Sequence, residues 1–225
     1  MPVEVVAFDV HGTLLHWPEN RVHGLEIQRL LQRYGISISY QALEAARQAV
    51  FFLDATRREI HSHVDFLALQ FERMGVSVSL DLIESIAAMQ DARDGMVAYP
   101  DAIPAIRAAR EAGKQTCAFT TLPRFMLGRD EDGAEILRLL DPYFSISTVG
   151  QVKGDPRFYT RISESIGVEP DRILAVGDDP ICDCILPAEA GWRTVLLNRD
   201  NNKTVEEIGS IATIGSLGEL AAFYR

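Results

Sequence analysis

The spacing of hydrophobic positions changes twice along the chain, and each change predicts a different kind of secondary structure. Residues 5–8 form an uninterrupted apolar run that ends at Asp9, which is typical of a strand buried on both faces. Between residues 18 and 96, apolar side chains recur at intervals of three and four residues, which predicts helices. After residue 97, short apolar runs alternate with helical segments, and this order predicts a parallel α/β sheet.

The predicted elements form a sheet-containing part and a purely helical part. No strand pattern interrupts the helices predicted over residues 25–34, 42–56, 64–74 and 80–94. Strands are predicted over residues 115–120, 144–149, 173–176, 194–197 and 211–214, with helices over residues 101–112, 131–140, 157–166, 187–190 and 217–223. Right-handed crossovers then give a doubly wound, Rossmann-like α/β core of residues 1–16 and 97–225. Residues 17–96 are predicted to be an inserted all-α helical-bundle cap.

Charge restricts the classes of partner. The 225 residues carry 22 Lys and Arg against 32 Asp and Glu, which gives a formal net charge of −10. An acidic surface disfavours nucleic-acid backbones and anionic membranes as partners, because both attract basic faces. A small phosphorylated substrate stays compatible with this charge, because one local cationic pocket with a metal ion is enough to bind it.

Two further features concern the cellular compartment. The amino terminus lacks the basic segment and apolar stretch of a signal peptide, and no run reaches the roughly 18 apolar residues that span a bilayer. The cysteines, Cys117, Cys182 and Cys184, are odd in number, which indicates a reduced protein. We therefore expect a cytoplasmic protein, either a monomer or a homodimer.

The first candidate for chemistry is the carboxylate that ends the first strand. Asp9 is followed by Gly12 and Thr13, and open α/β sheets bind their ligands at the carboxyl ends of their strands. Asp-x-x-Gly-Thr after a hydrophobic strand resembles the first motif of the haloacid dehalogenase superfamily. Most members of that superfamily are phosphatases, and dehalogenases and phosphonate-cleaving enzymes are among the others.

Two later segments are similar to the second and third motifs of that superfamily. Thr120 ends an apolar strand, as the hydroxyl residue of the second motif does, but Thr121 stands where the family often has Asn. Lys153 precedes Gly-Asp-Pro, where the third-motif lysine commonly precedes Pro-Asp-Pro. An ammonium group near Asp9 would keep that carboxylate ionised and would offset negative charge that builds up on a substrate.

The segment that follows Lys153 in the chain resembles the fourth motif of the superfamily, which is acidic. A buried strand delivers Asp178 directly after Gly177, and Asp183 follows five residues later. Carboxylates at neighbouring strand ends repel one another unless a cation lies between them, and oxygen ligands suit Mg²⁺. The four motifs occur in the family's order, and the long interval between Asp9 and Thr120 matches members with a helical cap at that position.

The resemblance implies a role for each matched residue. Asp9 would be the nucleophile of a hydrolase with a covalent aspartyl intermediate, with Thr120 and Lys153 binding the transferred group. Mg²⁺ would be held by Asp9, the backbone carbonyl of His11 and Asp178, while Asp183 would support the metal site or orient Lys153. Substrate contacts are expected from Gly12, Thr13, Thr121 and Arg47.

His11 departs from the family pattern. In the phosphatases this position is a second Asp, which protonates the leaving alcohol and then activates water. A neutral imidazole can accept a proton from water, but protonating an alkoxide requires imidazolium, which nearby Mg²⁺ disfavours. Weak activity on alkyl phosphates is therefore expected, unless His11 only fills space under the cap.

Three functions stay open on these residues. A Mg²⁺-dependent phosphatase acting on a small metabolite is favoured by Asp178. A metal-independent 2-haloacid dehalogenase is the alternative, because His11, Tyr159 and a loosely aligned Arg47 resemble that branch, whereas its members have Ser at the position of Asp178. The third function is a catalytically weak relative that binds a phosphorylated ligand.

Overall fold

The computed structural model describes residues 2–127, 130–199 and 211–224, so part of the predicted core, residues 200–210, lies outside the described residues. The strands are β1 (Val5–Phe8), β2 (Leu15–His16), β3 (Val97–Ala98), β4 (Gln115–Thr120), β5 (Tyr143–Ser145), β6 (Ile173–Gly177), β7 (Arg193–Leu197) and β8 (Thr213–Ile214). The α-helices are α1 (Gly24–Arg33), α2 (Tyr40–Ala49), α3 (His63–Met74), α4 (Leu80–Arg93), α5 (Ala102–Glu111), α6 (Glu131–Leu139), α7 (Ile146–Val149), α8 (Pro156–Ile166) and α9 (Leu186–Glu189).

A six-stranded parallel sheet in the order β5-β4-β1-β6-β7-β8 forms the centre of the core. β1 lies between β4 and β6, and all four of its residues are fully buried, because helices cover both faces of the sheet. The register pairs Phe8 with Ala118 and with Val176. The residues that follow β1, β4 and β6 therefore meet at one edge of the sheet.

The four helices α1 to α4 form the inserted cap and share a hydrophobic cluster of their own. This cluster comprises Val22, Ile27, Leu31, Ile38, Leu43, Leu67, Phe71, Leu82, Ile83, Ile86 and Ala87. The antiparallel ribbon of β2 and β3 joins the cap to the core. The predicted fold class, a doubly wound parallel sheet with an inserted all-α cap, is confirmed. The predicted domain boundaries, at residues 16 and 97, fall in this ribbon and stay a prediction.

Several predicted elements are corrected. The helix predicted over residues 42–56 is α-helical only to Ala49 and continues as a π-helical turn, Val50–Asp54. The strand predicted over residues 211–214 shortens to β8, and the helix over 217–223 is a 3₁₀ helix. The strand predicted over residues 144–149 is wrong beyond Ser145, because the backbone turns there into α7.

Ser145 explains the early end of β5. The Ser145 hydroxyl accepts a hydrogen bond from the N–H of Thr148, the Thr148 hydroxyl accepts one from the N–H of Ser145, and Gly150 ends α7 at φ +69°. This capping box favours a helical turn over the strand that Ile146 and Val149 would otherwise allow.

Two observations bear on the expected surroundings of the protein. Among the described residues there is no helix with the length and apolar character that crossing a membrane requires. The three cysteines are free thiols, and burial raises the pKa of Cys117 to about 12. The cytoplasmic location, the absence of nucleic-acid partners and the monomeric or homodimeric state stay predictions.

Replacement of Ser145 by Ala should lower the free energy of unfolding by about 0.5–2 kcal/mol, because the N–H of Thr148 loses its acceptor in the capping box. Ser79→Ala is the matched control, since Ser79 precedes α4 without making a side-chain cap and should change stability by under about 0.5 kcal/mol. Urea denaturation measures both variants. Equal losses in the two would contradict the capping role.

Candidate active site

The candidate site lies at the carboxyl edge of the sheet, where three loops converge. Asp9 follows β1, Thr120 is the last residue of β4, and Asp178 follows β6. Lys153 reaches the same place from the segment between α7 and α8, and its side chain is only 6% exposed. The four residues that the motifs singled out are therefore brought together by the sheet.

The Lys153 ammonium group lies between two carboxylates. Its Nζ contacts the Oδ1 of Asp9 and lies 2.7 Å from the Oδ1 of Asp183, and the ring centroid of Phe119 is 4.4 Å away. Burial by itself would lower the pKa of Lys153, but the Coulombic attraction of Asp183 and Asp9 outweighs that effect and raises it. Lys153 therefore stays cationic at neutral pH.

A third carboxylate, that of Asp178, lies beside the two that contact the ammonium group. Asp9, Asp178 and Asp183 each offer an oxygen, and these atoms lie within 4.8 Å of one another. Burial raises the pKa of Asp183 to about 7 despite the opposing charge of Lys153, and burial likewise raises the pKa of Asp9. This excess of negative charge and the all-oxygen donor set fit a divalent cation.

Two glycines allow the carboxylates to approach the backbone. Gly12 has φ +85°, and a Cβ there would lie 2.6 Å from the carboxyl group of Asp178. A Cβ at Gly177 would overlap the carboxyl group of Asp183. Gly12 therefore supplies both a left-handed backbone and the space that Asp178 occupies.

The hydroxyl residues predicted from the motifs occupy different positions. Thr13 is fully buried, and its Oγ1 donates to the Oδ2 of Asp9 at 3.2 Å. Thr120 is also buried, and its Oγ1 accepts a hydrogen bond from the N–H of Leu122, so its own proton can be donated elsewhere. Thr121 is half-buried beside it.

Two residues to which the sequence assigned no such role hold the site in place. The Tyr159 hydroxyl donates to the carbonyl oxygen of Lys153 at 2.6 Å and contacts that of Cys182, so Tyr159 braces the backbone around the ammonium group. The Asp179 carboxylate accepts two N–H groups of the π-helical turn Pro180–Ile185, and its own N–H donates to Asp183 Oδ2. An Asp before Pro is a cap signature that the sequence displays.

His11 stands exposed at the mouth of the site, with its ring centroid 5.9 Å from that of Trp17. The partial loss of hydration lowers the pKa of His11, the cation of Arg21 lowers it further, and Asp178 opposes the shift. The imidazole is therefore neutral near pH 7, a state that can accept a proton but cannot donate one to an alkoxide.

Arg47 is not brought to the carboxylate cluster. Its guanidinium pairs with Glu44 at 2.8 Å and lies over the ring of Phe51. Arg47 instead lines a cavity of about 120 Å³ in the cap, together with Trp17, Arg21, His63, Gln90, Asp94 and Met126. Because Trp17 also contacts His11, this cavity lies beside the carboxyl edge of the sheet.

The doubly wound sheet, the inserted cap and the acidic cluster at the carboxyl edge define a capped α/β hydrolase. The chain belongs to the haloacid dehalogenase-like hydrolases, since the model of that family matches residues 3–191. It is similar to (S)-2-haloacid dehalogenase 4A of Burkholderia cepacia, with 26% identity over 95% of this chain and 91% of that protein. It has the same identity, 26%, to Phosphatase MT3486 of Mycobacterium tuberculosis, over 96% of this chain and 97% of that protein.

A solved structure shows the same fold. The 2-haloacid dehalogenase from Pseudomonas syringae superposes with a TM-score of 0.72 at 16% identity, covering 98% of this chain and 97% of that chain. The predicted membership in the haloacid dehalogenase superfamily and the hydrolase class are confirmed. The relatives include both dehalogenases and phosphatases, so the reaction has to be argued from the site.

The close approach at Gly177 leads to a test. Gly177→Ala should lower the free energy of unfolding by about 1–3 kcal/mol, because the new methyl group forces Asp183 away from Lys153. Gly154→Ala, next to Lys153 with open space at its Cβ position, should change it by under about 0.5 kcal/mol. Urea denaturation compares the two, and a Gly177 variant as stable as the Gly154 variant would refute the tight packing of Asp183.

Proposed function

We propose that this protein is a Mg²⁺-dependent phosphatase that acts on a small phosphorylated metabolite, with Asp9 as the nucleophile. The observation that carries this proposal is the cluster of Asp9, Asp178 and Asp183, in which Lys153 contacts only Asp9 and Asp183. The carbon at which a haloalkanoate reacts carries no negative charge, whereas a phosphoryl group brings further negative charge to a site that already has an excess. A divalent cation would balance both the charge of the phosphoryl group and the excess negative charge of the site.

Asp9 would attack phosphorus in line with the leaving oxygen and form an aspartyl-phosphate. Lys153 and the Thr120 hydroxyl would bind the phosphoryl oxygens, and Thr13 would orient the attacking carboxylate through its hydrogen bond to Asp9. Mg²⁺ would be held by Asp9, the His11 carbonyl and Asp178, supported by Asp183, and when bound it would neutralise phosphoryl oxygens.

His11 would act as a base in the second half of the reaction. Its neutral imidazole would take a proton from the water that hydrolyses the aspartyl-phosphate. The leaving group would lie toward the cavity beside Trp17, and Gly12 and Thr121 would contact the substrate. The cap of residues 17–96 would close over the core of residues 1–16 and 97–225 about the ribbon of β2 and β3.

A 2-haloacid dehalogenase is the second candidate, and the similarity to (S)-2-haloacid dehalogenase 4A favours it. The Arg21 guanidinium, 5.8 Å from the ring centroid of Trp17 and near His11, would be the cation that holds a substrate carboxylate. The pairing of Arg47 with Glu44 and the bracing role of Tyr159 weigh against this candidate, because neither side chain is then left for a haloacid. A weak relative that binds a phosphorylated ligand is the third candidate.

p-Nitrophenyl phosphate is a suitable substrate, because its aryl leaving group needs no acid. Release of p-nitrophenol should depend on added Mg²⁺, because the cation balances the negative charge of the site and the phosphoryl group. Asp9→Asn should reduce kcat by more than about 10³-fold, since the nucleophile is lost. Asp171→Asn, which removes an exposed carboxylate just before β6, is the control and should retain activity.

Three results would contradict the Mg²⁺-dependent phosphatase. Turnover that survives EDTA would exclude the cation from the reaction. Halide release from a 2-haloacid without metal, combined with no release of p-nitrophenol, would establish the dehalogenase. Stabilisation by Mg²⁺ and phosphate without turnover of either substrate would leave the ligand-binding function.

The role of His11 leads to a separate prediction. His11→Asp supplies the missing acid and should raise kcat/KM for an alkyl phosphate relative to p-nitrophenyl phosphate by up to roughly 10²–10⁴-fold. His61→Asp makes the same change on the cap surface and serves as the control. Steady-state kinetics on both substrates gives the ratio, and an unchanged ratio would show that His11 does not occupy the position of the acid.

A further inference from the structure

Arg199, just after β7, makes a set of contacts that the proposed reaction does not use. Its Nη2 donates to the carbonyl oxygen of Thr13 at 2.7 Å. Its two terminal nitrogens also donate to the two oxygens of Asp101, at 2.8 and 2.9 Å. The guanidinium lies 4.0 Å from the ring centroid of Tyr99. One side chain thus joins three separate parts of the chain.

Arg199 and Tyr99 together hold two consecutive carbonyl groups of the β1 loop, which we define as residues 9–14. Arg199 binds the carbonyl of Thr13, and the N–H of Tyr99 donates to the carbonyl of Leu14 at 2.9 Å. The Thr13 side chain in turn donates to Asp9. The orientation of the Asp9 carboxylate is therefore connected to Arg199 through one residue.

Asp101 anchors the guanidinium. Its Oδ2 also accepts hydrogen bonds from the hydroxyl of Ser216 and the N–H of Leu217, both at 3.0 Å. Burial by itself would raise the pKa of Asp101, but the bonds from Arg199 and Leu217 outweigh that effect and lower it. Asp101 is therefore ionised at neutral pH, and the bidentate pair fixes the plane of the guanidinium.

We propose that Arg199 is a positioning residue that sets the β1 loop, and through Thr13 the Asp9 carboxylate, in its reactive orientation. The proposal rests on the proposed role of Asp9 as nucleophile, but it does not depend on whether the substrate is a phosphate ester or a haloacid. Arg199 lies beyond the residues that the family model matches. The contacts of this chain alone carry the inference.

The test separates local positioning from general stability by amide hydrogen exchange. In Arg199→Met, the amides of Leu14 and Leu15, which both donate to the Val10 carbonyl, should exchange about tenfold faster or more. Amides of β4 and β6 should keep their rates. Arg107→Met is the matched control, because Arg107 pairs with Glu135 at the surface and contacts no part of the loop in the described structure.

Kinetics provides the second readout. Arg199→Met should lower kcat by roughly 10–100-fold with KM changed by less than about threefold, because a displaced nucleophile slows chemistry more than binding. Asp101→Asn keeps a side-chain oxygen for Ser216 and Leu217 but removes the negative charge and one of the two acceptors of Arg199. It should give a smaller effect of the same kind if Arg199→Met does not fold.

The outcomes distinguish a failure of the positioning role of Arg199 from a failure of the proposed function. Unchanged exchange at Leu14 and Leu15, or faster exchange spread evenly over the sheet, would overturn the positioning role. A kcat loss matched by Arg107→Met would do the same. Absence of turnover in the unmodified protein would contradict the proposed function alone, since the exchange experiment reads the loop without any substrate.

Discussion

The ammonium group of Lys153 is the interaction on which the rest of the site depends. A buried cation is stable only when opposite charges surround it, and removing one partner of such a pair typically costs about 3–5 kcal/mol. Asp9 and Asp183 provide those charges, Phe119 lies against the ammonium group, and Tyr159 holds the backbone of Lys153. The close packing at Gly177 follows from the same requirement, since Asp183 reaches Lys153 only over a residue without a side chain.

The charge balance of this cluster also separates the candidate reactions. Lys153 neutralises one of the three carboxylates, so Asp178 adds to the negative charge that Asp9 and Asp183 already leave for a cation. Sequence similarity does not separate the reactions, because a dehalogenase and a phosphatase are each 26% identical to this chain over most of its length. Under the proposed function, His11 would change only the acid–base step, because the leaving group of a phosphate ester would have to depart without a proton, as a halide does.

The sequence predicted what short-range patterns encode. The buried run before Asp9 and the glycine after it placed the first loop, and the order of strands brought Thr120, Lys153 and Asp178 to the same edge. The residues of the Ser145 capping box are also visible in the sequence, but the apolar positions around them favour a strand over residues 144–149. The roles of Arg199 and Asp101 could not be predicted, because the two residues are far apart in the chain and only the fold brings them into contact.

The β1 loop is covalently connected to the cap through β2, and the contacts of Arg199 act on that loop. The β1 loop runs directly into β2, and β2 pairs with β3, the strand through which the chain leaves the cap. Any displacement of that ribbon would reach Asp9 through only a few residues. The bonds from Arg199 and Tyr99 to the carbonyls of Thr13 and Leu14 lie between the ribbon and the carboxylate. If Arg199 has the proposed role, these bonds would let the core, rather than the cap, determine where the carboxylate points, so the cap could exchange substrate without moving the proposed nucleophile.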